Sequence, residues 1–267
     1  MLLTVDVGNT QTALGLYEGE ALRHKWRMTT NKTYTADEVR IKLLAYFRAE
    51  GLAEDAVCGA ALASVGPRLT ASWLEACSSM LGYETLVVNA ETASPLFKTS
   101  YRNPAEIGAD RVADAVAAVA RYGAPVVVVD FGTATNIEII DKEGFLVGGI
   151  IAPGMETSAA ALFTHASRLS ATELTGPSNA IGRTTEEAVR SGIVYGEADR
   201  ADGLVRRVFA ELGYEAPVIA TGGLSSTVAK ASTTISDVNP ELTLEGLRLI
   251  YHSCGAGRKA SREGNVE

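Results

Sequence analysis

The sequence predicts an α/β protein made of two duplicated domains, each a mixed β-sheet flanked by helices. Three observations predict it. Apolar runs of strand length alternate along the chain with amphipathic stretches of helix length. A strand that ends in Asp-x-Gly and is followed by a returning strand occurs twice, first at Asp6–Val7–Gly8–Asn9–Thr10 and again at Asp130–Phe131–Gly132–Thr133–Ala134–Thr135. At an offset of 124 residues, Asp6 falls on Asp130, Gly8 on Gly132 and Leu16 on Ile140. No linker or low-complexity stretch divides the halves, and 267 residues suit one large or two modest domains.

The elements follow in order. Leu2–Val5 is a strand, and alternation through Ala13–Tyr17 returns it as a hairpin. Thr35 and Glu38 have capping-box spacing ahead of Val39, Leu43 and Phe47, and Gly51 ends that helix. Cys58–Val65 reads as a buried strand, followed by a helix to Gly82 and a strand over Thr85–Val88. Asn89–Asn103 is a polar, irregular loop. Pro104 suits the first turn of a helix whose face carries Val112, Ala115, Val116 and Val119 before Gly123. The boundary between domains 1–122 and 123–254 lies at that glycine. Val126–Val129 opens the second copy, and Phe145–Ile151 adds a third strand. Thr184 and Glu187 repeat the capping-box spacing ahead of a helical stretch from Thr185 to Leu212. Val218–Ala220 is a buried strand ending in Thr221–Gly222–Gly223, and a last helix covers Leu244–Tyr251. Residues 255–267 are small, charged and aperiodic, the composition of a disordered tail.

Composition narrows the function classes. Net charge is −8 with Lys and Arg scattered, so there is no basic stripe for nucleic acid, and an anionic ligand must be held by backbone amides, a metal ion or a few placed arginines. No apolar run approaches the ~20 residues of a membrane span, and Asp6 sits where a signal peptide is apolar. Cys58, Cys77 and Cys254 form neither a framework nor a zinc motif, which predicts a reducing, cytoplasmic setting. His24, His165 and His252 are isolated, as packing residues are. No GxxxxGK[ST] is present, and Gly255–Ala256–Gly257 follows no strand, so neither a P-loop nor a Rossmann fingerprint is read.

The two Asp-x-Gly hairpins are the main chemical signal. Glycine lets backbone approach a phosphate, Asn9, Thr10 and Thr133 offer donors, and a carboxylate at a strand end holds Mg²⁺ directly or through water. Asp and Gly also make ordinary turns. In Gly108–Ala109–Asp110–Arg111, Asp110 can accept a proton from an alcohol and Arg111 can meet an anion; equally, Asp110 can be a first-turn residue favoured by the helix dipole. Gly182–Arg183–Thr184–Thr185 offers free helix-start amides to an anion, or is only a cap. Thr221–Gly222–Gly223 admits a nucleotide to the backbone, or is only a strand-to-helix turn.

Taken together with Gly148–Gly154, Ile181–Glu186, Thr221–Leu224 and Asn239–Leu247, these motifs are similar in order and spacing to type III pantothenate kinase, a family of the actin/hexokinase/Hsp70-like phosphotransferase superfamily, from the first residues to about Cys254. The resemblance implies two actin-like (ribonuclease H-like) domains with an interdomain ATP cleft and phosphorylation of pantothenate by ATP. It implies that Asp6, Val7, Gly8, Asn9, Thr10, Gln11, Thr12 and Ala13 hold ATP phosphates and Mg²⁺, with Thr133 a further ATP contact. Asp110 would be the proton acceptor, and Tyr101, Gly108, Ala109, Arg111 and Thr185 would contact pantothenate. Asp130 would ligate a monovalent cation, K⁺ or NH₄⁺, and Thr185 would come from the partner subunit of a homodimer. The family usually has Thr where this chain has Asn136, a departure in fine geometry. A related kinase for another small alcohol or acid, or a nucleotide-binding regulator without turnover, remains an alternative; intact Asp6, Asp110 and Asp130 speak against the regulator.

Overall fold

In the computed structural model, which describes residues 1–82, 84–166, 169 and 172–255, strand β1 (Leu2–Val7) is buried along its length except at Asp6, which is half-buried. Burial on both faces is why it reads as a continuous apolar run. Antiparallel β2 (Gln11–Glu18) returns along it, and β3 (Ala21–Thr29) follows at the sheet edge. Helix α1 (Ala36–Ala49) starts on a complete capping box: the Glu38 amide donates to Thr35 Oγ1, and the Thr35 amide donates to Glu38 Oε2. Its buried stripe is Val39, Leu43 and Phe47. A one-turn 3-10 helix precedes β4 (Gly59–Ser64). Helix α2 (Pro67–Leu81) begins on its proline and ends on Gly82 at φ 66°, and β5 (Thr85–Val87) completes the sheet. The strand order is β3-β2-β1-β4-β5, with β1, β4 and β5 parallel. Leu3, Val5, Leu14, Leu16 and Trp73 join the α1 stripe in one core.

The stretch from Asn89 to Asn103 contains more structure than an irregular loop. It holds a two-residue strand, β6 (Lys98–Thr99). Pro104 does open a first turn, but of a separate 3-10 helix, Pro104–Glu106, capped by Asn103; α3 (Ala109–Tyr122) starts three residues later and stops before Gly123 at φ 78°.

The second sheet contains β7 (Val126–Phe131), β8 (Ala134–Ile140), β9 (Phe145–Pro153), β10 (Val218–Thr221) and β11 (Asp237–Val238), in the order β11-β10-β7-β8-β9-β6. From β9 to β11 it repeats the order and strand directions of the first sheet from β3 to β5. Strands β1 and β7 even share one burial pattern, open only at Asp6 and Asp130. The helices here are α4 (Met155–His165), α5 (Thr185–Leu212), α6 (Ser225–Ala229) and α7 (Leu242–Ser253). Neither α4 nor α6 is anticipated from sequence, α4 because its alanine-rich run carries no clear apolar stripe.

The repeat needs one correction. Leu3 pairs with Leu16, and the matching Val127 pairs with Ile139, so Leu16 corresponds to Ile139 rather than Ile140. The second turn is one residue shorter, and with a side-chain period of two a one-residue slip would exchange the faces of the whole returning strand.

The chain divides into two compact units. One comprises Met1–Phe97, Asn103–Val116 and the described residues from Thr243 on; the other comprises Lys98–Arg102 and Ala117–Leu242. Helix α7 thus groups with the first unit, whereas the sequence pattern puts it in 123–254. Within that unit α7 is held to α3: Thr243 Oγ1 donates to Asp114 Oδ1 at 2.7 Å, and a side chain on Gly246 would overlap the Ala113 carbonyl. Residues 256–267, nearly all of the expected tail, lie outside the described residues.

Candidate active site

In the first unit, Asp6 stands next to last in β1, directly opposite Ala13 on β2 and Ala63 on β4. Both cross-strand neighbours therefore carry only a methyl group. The turn beyond is tight: the Gly8 amide donates to the Gln11 carbonyl at 3.1 Å, and a Cβ on Gly8 would lie 2.9 Å from that oxygen. The Thr30 amide donates to the Thr10 carbonyl at 2.9 Å, and Thr12 Oγ1 shares a hydrogen bond with Thr30 Oγ1 at 2.8 Å. Val7 and Thr12 are buried and Gly8 and Ala13 partly so, while Asn9, Thr10 and Gln11 are exposed at the tip. The exposed tip thus carries amide and hydroxyl groups of the kind that hold a phosphate.

Asp110 heads α3 in the same unit. The Gly108 carbonyl accepts the Val112 amide and starts the helix, and the Arg111 amide donates to Asp110 Oδ1 at 2.9 Å. A Cβ on Gly108 would overlap Asp110 Oδ1, so the glycine leaves that carboxylate its place. Asp110 and Ala109 are half-buried, and Arg111 is buried.

In the second unit, Asp130 has the strand position of Asp6 but polar company. Its cross-strand neighbours are Asn136 and Thr221, so the family departure at Asn136 falls beside this aspartate. Gly222, at φ 89°, has no room for a side chain against Asp130 Oδ1 and the Phe131 carbonyl. Its own carbonyl accepts from Ser225 Oγ at 2.8 Å, so Thr221–Gly222–Gly223 is a strand-to-helix turn that also packs on Asp130. Thr133 is exposed at the tip, its carbonyl held by the Gly154 amide at 3.0 Å and by Thr157 Oγ1 at 2.6 Å. Tyr101 is half-buried, its amide donating to Thr99 Oγ1 at 3.1 Å.

Thr185 is exposed as the first residue of α5. Thr184 caps the helix by accepting the Glu187 amide at 3.1 Å, but Glu187 returns to the Arg183 amide, one residue earlier than in a capping box. Gly182 packs on the first turn of α5, where a Cβ would meet the Ala188 backbone. Of the histidines, His24 stacks on Trp26 and faces Glu50 at 3.3 Å, His165 ends α4, and His252 lies edge-on to Tyr251. Among the described residues no group of three His, Cys, Asp or Glu side chains forms a metal cage, and no helix is long and apolar enough to cross a membrane.

Sequence reasoning missed two residues beneath the second turn, Glu197 and Arg200 on α5, which bond to Thr135 and to the Pro153 carbonyl. A signal was available: Glu197 interrupts the buried stripe of Val194, Ala198, Ala201 and Val205.

Comparison with known proteins gives one consistent result. The family model for type III pantothenate kinase matches residues 2–207. Curated relatives named type III pantothenate kinase include one from Thermomicrobium roseum, 44% identical over 94% of this chain and 96% of its own, and one from Brevibacillus brevis, 41% identical over 94% and 98%. Among solved structures, the activator of 2-hydroxyisocaproyl-CoA dehydratase from Clostridium difficile with bound ADPNP superposes with a TM-score of 0.57 at 13% identity, over 99% of both chains. Component A of (R)-2-hydroxyglutaryl-CoA dehydratase from Acidaminococcus fermentans does so at 0.55 and 14%, over 98% of this chain and 99% of its own. At these identities the structures establish the fold alone, the mixed α/β actin-like one.

Proposed function

The chain belongs to the type III pantothenate kinase family, and from that premise we propose that it transfers the γ-phosphoryl group of ATP to the hydroxyl of pantothenate, giving 4′-phosphopantothenate, the first step of coenzyme A biosynthesis. One observation carries the reading: the family match over residues 2–207 spans every residue assigned to ATP, to the acceptor or to proton transfer below.

Phosphoryl transfer passes through a loose transition state with charge spread over peripheral oxygens, so the protein's task is positioning and neutralisation. We assign ATP phosphates to the turn from Asp6 to Ala13, whose exposed tip presents Asn9, Thr10 and Gln11, and a further ATP contact to Thr133. Asp110 takes the proton of the pantothenate hydroxyl, its Oδ1 already oriented by the Arg111 amide. Gly108, Ala109, Arg111, Tyr101 and Thr185 are assigned to the acceptor.

The family uses ATP with a divalent metal, and the donors fit one. Asp6, whose cross-strand neighbours are Ala13 and Ala63, offers a hard carboxylate oxygen, which suits Mg²⁺, an ion that keeps most of its waters and is otherwise bound by phosphates. When bound, the ion neutralises phosphate oxygens. For Asp130 we propose a monovalent cation, K⁺ or NH₄⁺; the surrounding oxygens of Thr221, Asn136 and the Phe131 carbonyl are of the right kind. We also propose a homodimer in which Thr185 completes the partner's acceptor site. Ile181, 82% exposed four residues before Thr185, and Ile151, 67% exposed on β9, are apolar groups that a second copy would cover. The three free cysteines suit a cytoplasmic location.

The test is ADP release by purified protein with pantothenate, sugars, acetate or glycerol, with and without K⁺ or NH₄⁺. The expected result is turnover with pantothenate alone and only when a monovalent cation is present. Turnover with another acceptor in place of pantothenate overturns the substrate, and an unchanged rate without either cation removes that role from Asp130.

A further inference from the structure

Helix α5 carries a charge where its apolar stripe should continue. Glu197 is only 3% exposed, and a carboxylate is stable that deep only when both oxygens are bonded. Both are: Oε1 accepts from Thr135 Oγ1 at 2.5 Å, and Oε2 pairs with Arg200 Nη2 at 2.5 Å. The same Nη2 donates to the Pro153 carbonyl at 2.6 Å and reaches Thr135 Oγ1 at 3.4 Å. Thr135 lies opposite Phe131, one residue before Asn136, the cross-strand neighbour of Asp130. Pro153 precedes Gly154, whose amide holds the Thr133 carbonyl. The ion pair therefore grips the start of β8 and the end of β9, next to the residue whose amide holds the second turn. At the equivalent place in the first unit, Thr12 is bonded to the hydroxyl of Thr30. A neutral hydroxyl partner serves there, so the fold by itself does not demand a buried ion pair at this position.

We infer that Glu197 is a positioning residue for the β7–β8 turn, its carboxylate fixed by Arg200 so that Thr135 and the Pro153 carbonyl hold Asp130 and Thr133 in place. The inference rests on the proposed function only for what that turn contacts.

Three variants test it in the full chain: Thr135→Val, which deletes the hydroxyl at nearly constant shape; Thr135→Ser, which keeps it; and Glu197→Gln, which keeps an acceptor but removes the charge facing Arg200. Each is titrated with ADP and Mg²⁺ by calorimetry, melted thermally and assayed for turnover. Loss of a hydrogen bond to a charged group predicts about 10-fold weaker ADP binding and about 10-fold lower kcat for Thr135→Val and Glu197→Gln, with KM for pantothenate within about twofold and Thr135→Ser near wild type. Wild-type ADP affinity and kcat in Thr135→Val, or a lower Tm without weaker ADP binding, overturns the inference. If Glu197→Gln does not fold, the Val and Ser pair still decides. A wild-type protein that binds ADP but leaves pantothenate untouched defeats the pantothenate reading and leaves the ADP titrations as the test of this brace.

Discussion

Asp6 and Asp130 share a strand position but differ in company, and side-chain neighbours decide what a carboxylate can hold. The cross-strand neighbours of Asp6 are alanines, whereas those of Asp130 are Asn136 and Thr221, and the Gly222 backbone packs close to its Oδ1. Asp110 belongs to neither pair. As the proposed base it predicts that Asp110→Asn lowers kcat by ~10²–10⁴ with an unchanged melting temperature; near-wild-type turnover would remove it from the mechanism. Gly108→Ala tests the same carboxylate indirectly. The added methyl would overlap Asp110 Oδ1 and turn the acid aside, so kcat should fall about 10-fold while the fold survives, since residue 108 is exposed.

Among the elements, α3 does most to position the proposed chemistry, and α7 holds it. The Thr243–Asp114 hydrogen bond lies one helical turn beyond Asp110, and Gly246 brings the two backbones together. Gly246→Ala should cost about 1–3 kcal/mol by overpacking, read as a lower urea midpoint, and should reduce kcat as well because the helix that shifts carries Asp110. An unchanged midpoint would show that α7 yields without disturbing α3. The two capping sites show how far local sequence goes. Thr35 and Glu38 close the full reciprocal box, while at α5 Glu187 reaches past Thr184 to Arg183, although the residue spacing is the same.

At the scale of the molecule, acid stability is set in part by Asp202 on α5. Burial raises the pKa of this carboxyl, but hydroxyls of Ser232, Thr233 and Thr234 and the Thr233 amide overcome that and hold it down at about 2, from a usual 3.8. The unfolded chain therefore binds the extra proton first. The contribution is complete above 3.8 and is lost as pH falls through about 2. Denaturation measured across that window should show stability falling with pH, and Asp202→Asn should flatten the slope; a slope unaltered by the substitution places the acid sensitivity elsewhere. The proposed dimer predicts a two-subunit species by sedimentation, and Ile181→Glu should dissociate it and raise KM for pantothenate about 10-fold or more while sparing ADP binding. A monomeric wild type with full activity would exclude a partner's Thr185 from the site.

The spans of strands such as β1, β4 and β7 and of helices such as α1 and α5, the α1 cap and the order of the Asp-x-Gly turns were legible in the sequence because each rests on residues within about one helical turn or one strand of each other. Gly108 and Asp110 were legible as a helix start for the same reason. What only the folded chain decided depends on distant pairs. The shortened second turn that moves Leu16 onto Ile139 is a matter of cross-strand register. The grouping of α7 with the first unit rests on a contact such as Thr243–Asp114, spanning 129 residues. The Glu197–Arg200 grip on Thr135 and Pro153 joins segments 47 to 65 residues apart. Periodicity records which face of an element is buried, but it carries no information about which partner covers that face. That partner is chosen by packing and hydrogen bonding between segments that meet only once the chain has folded.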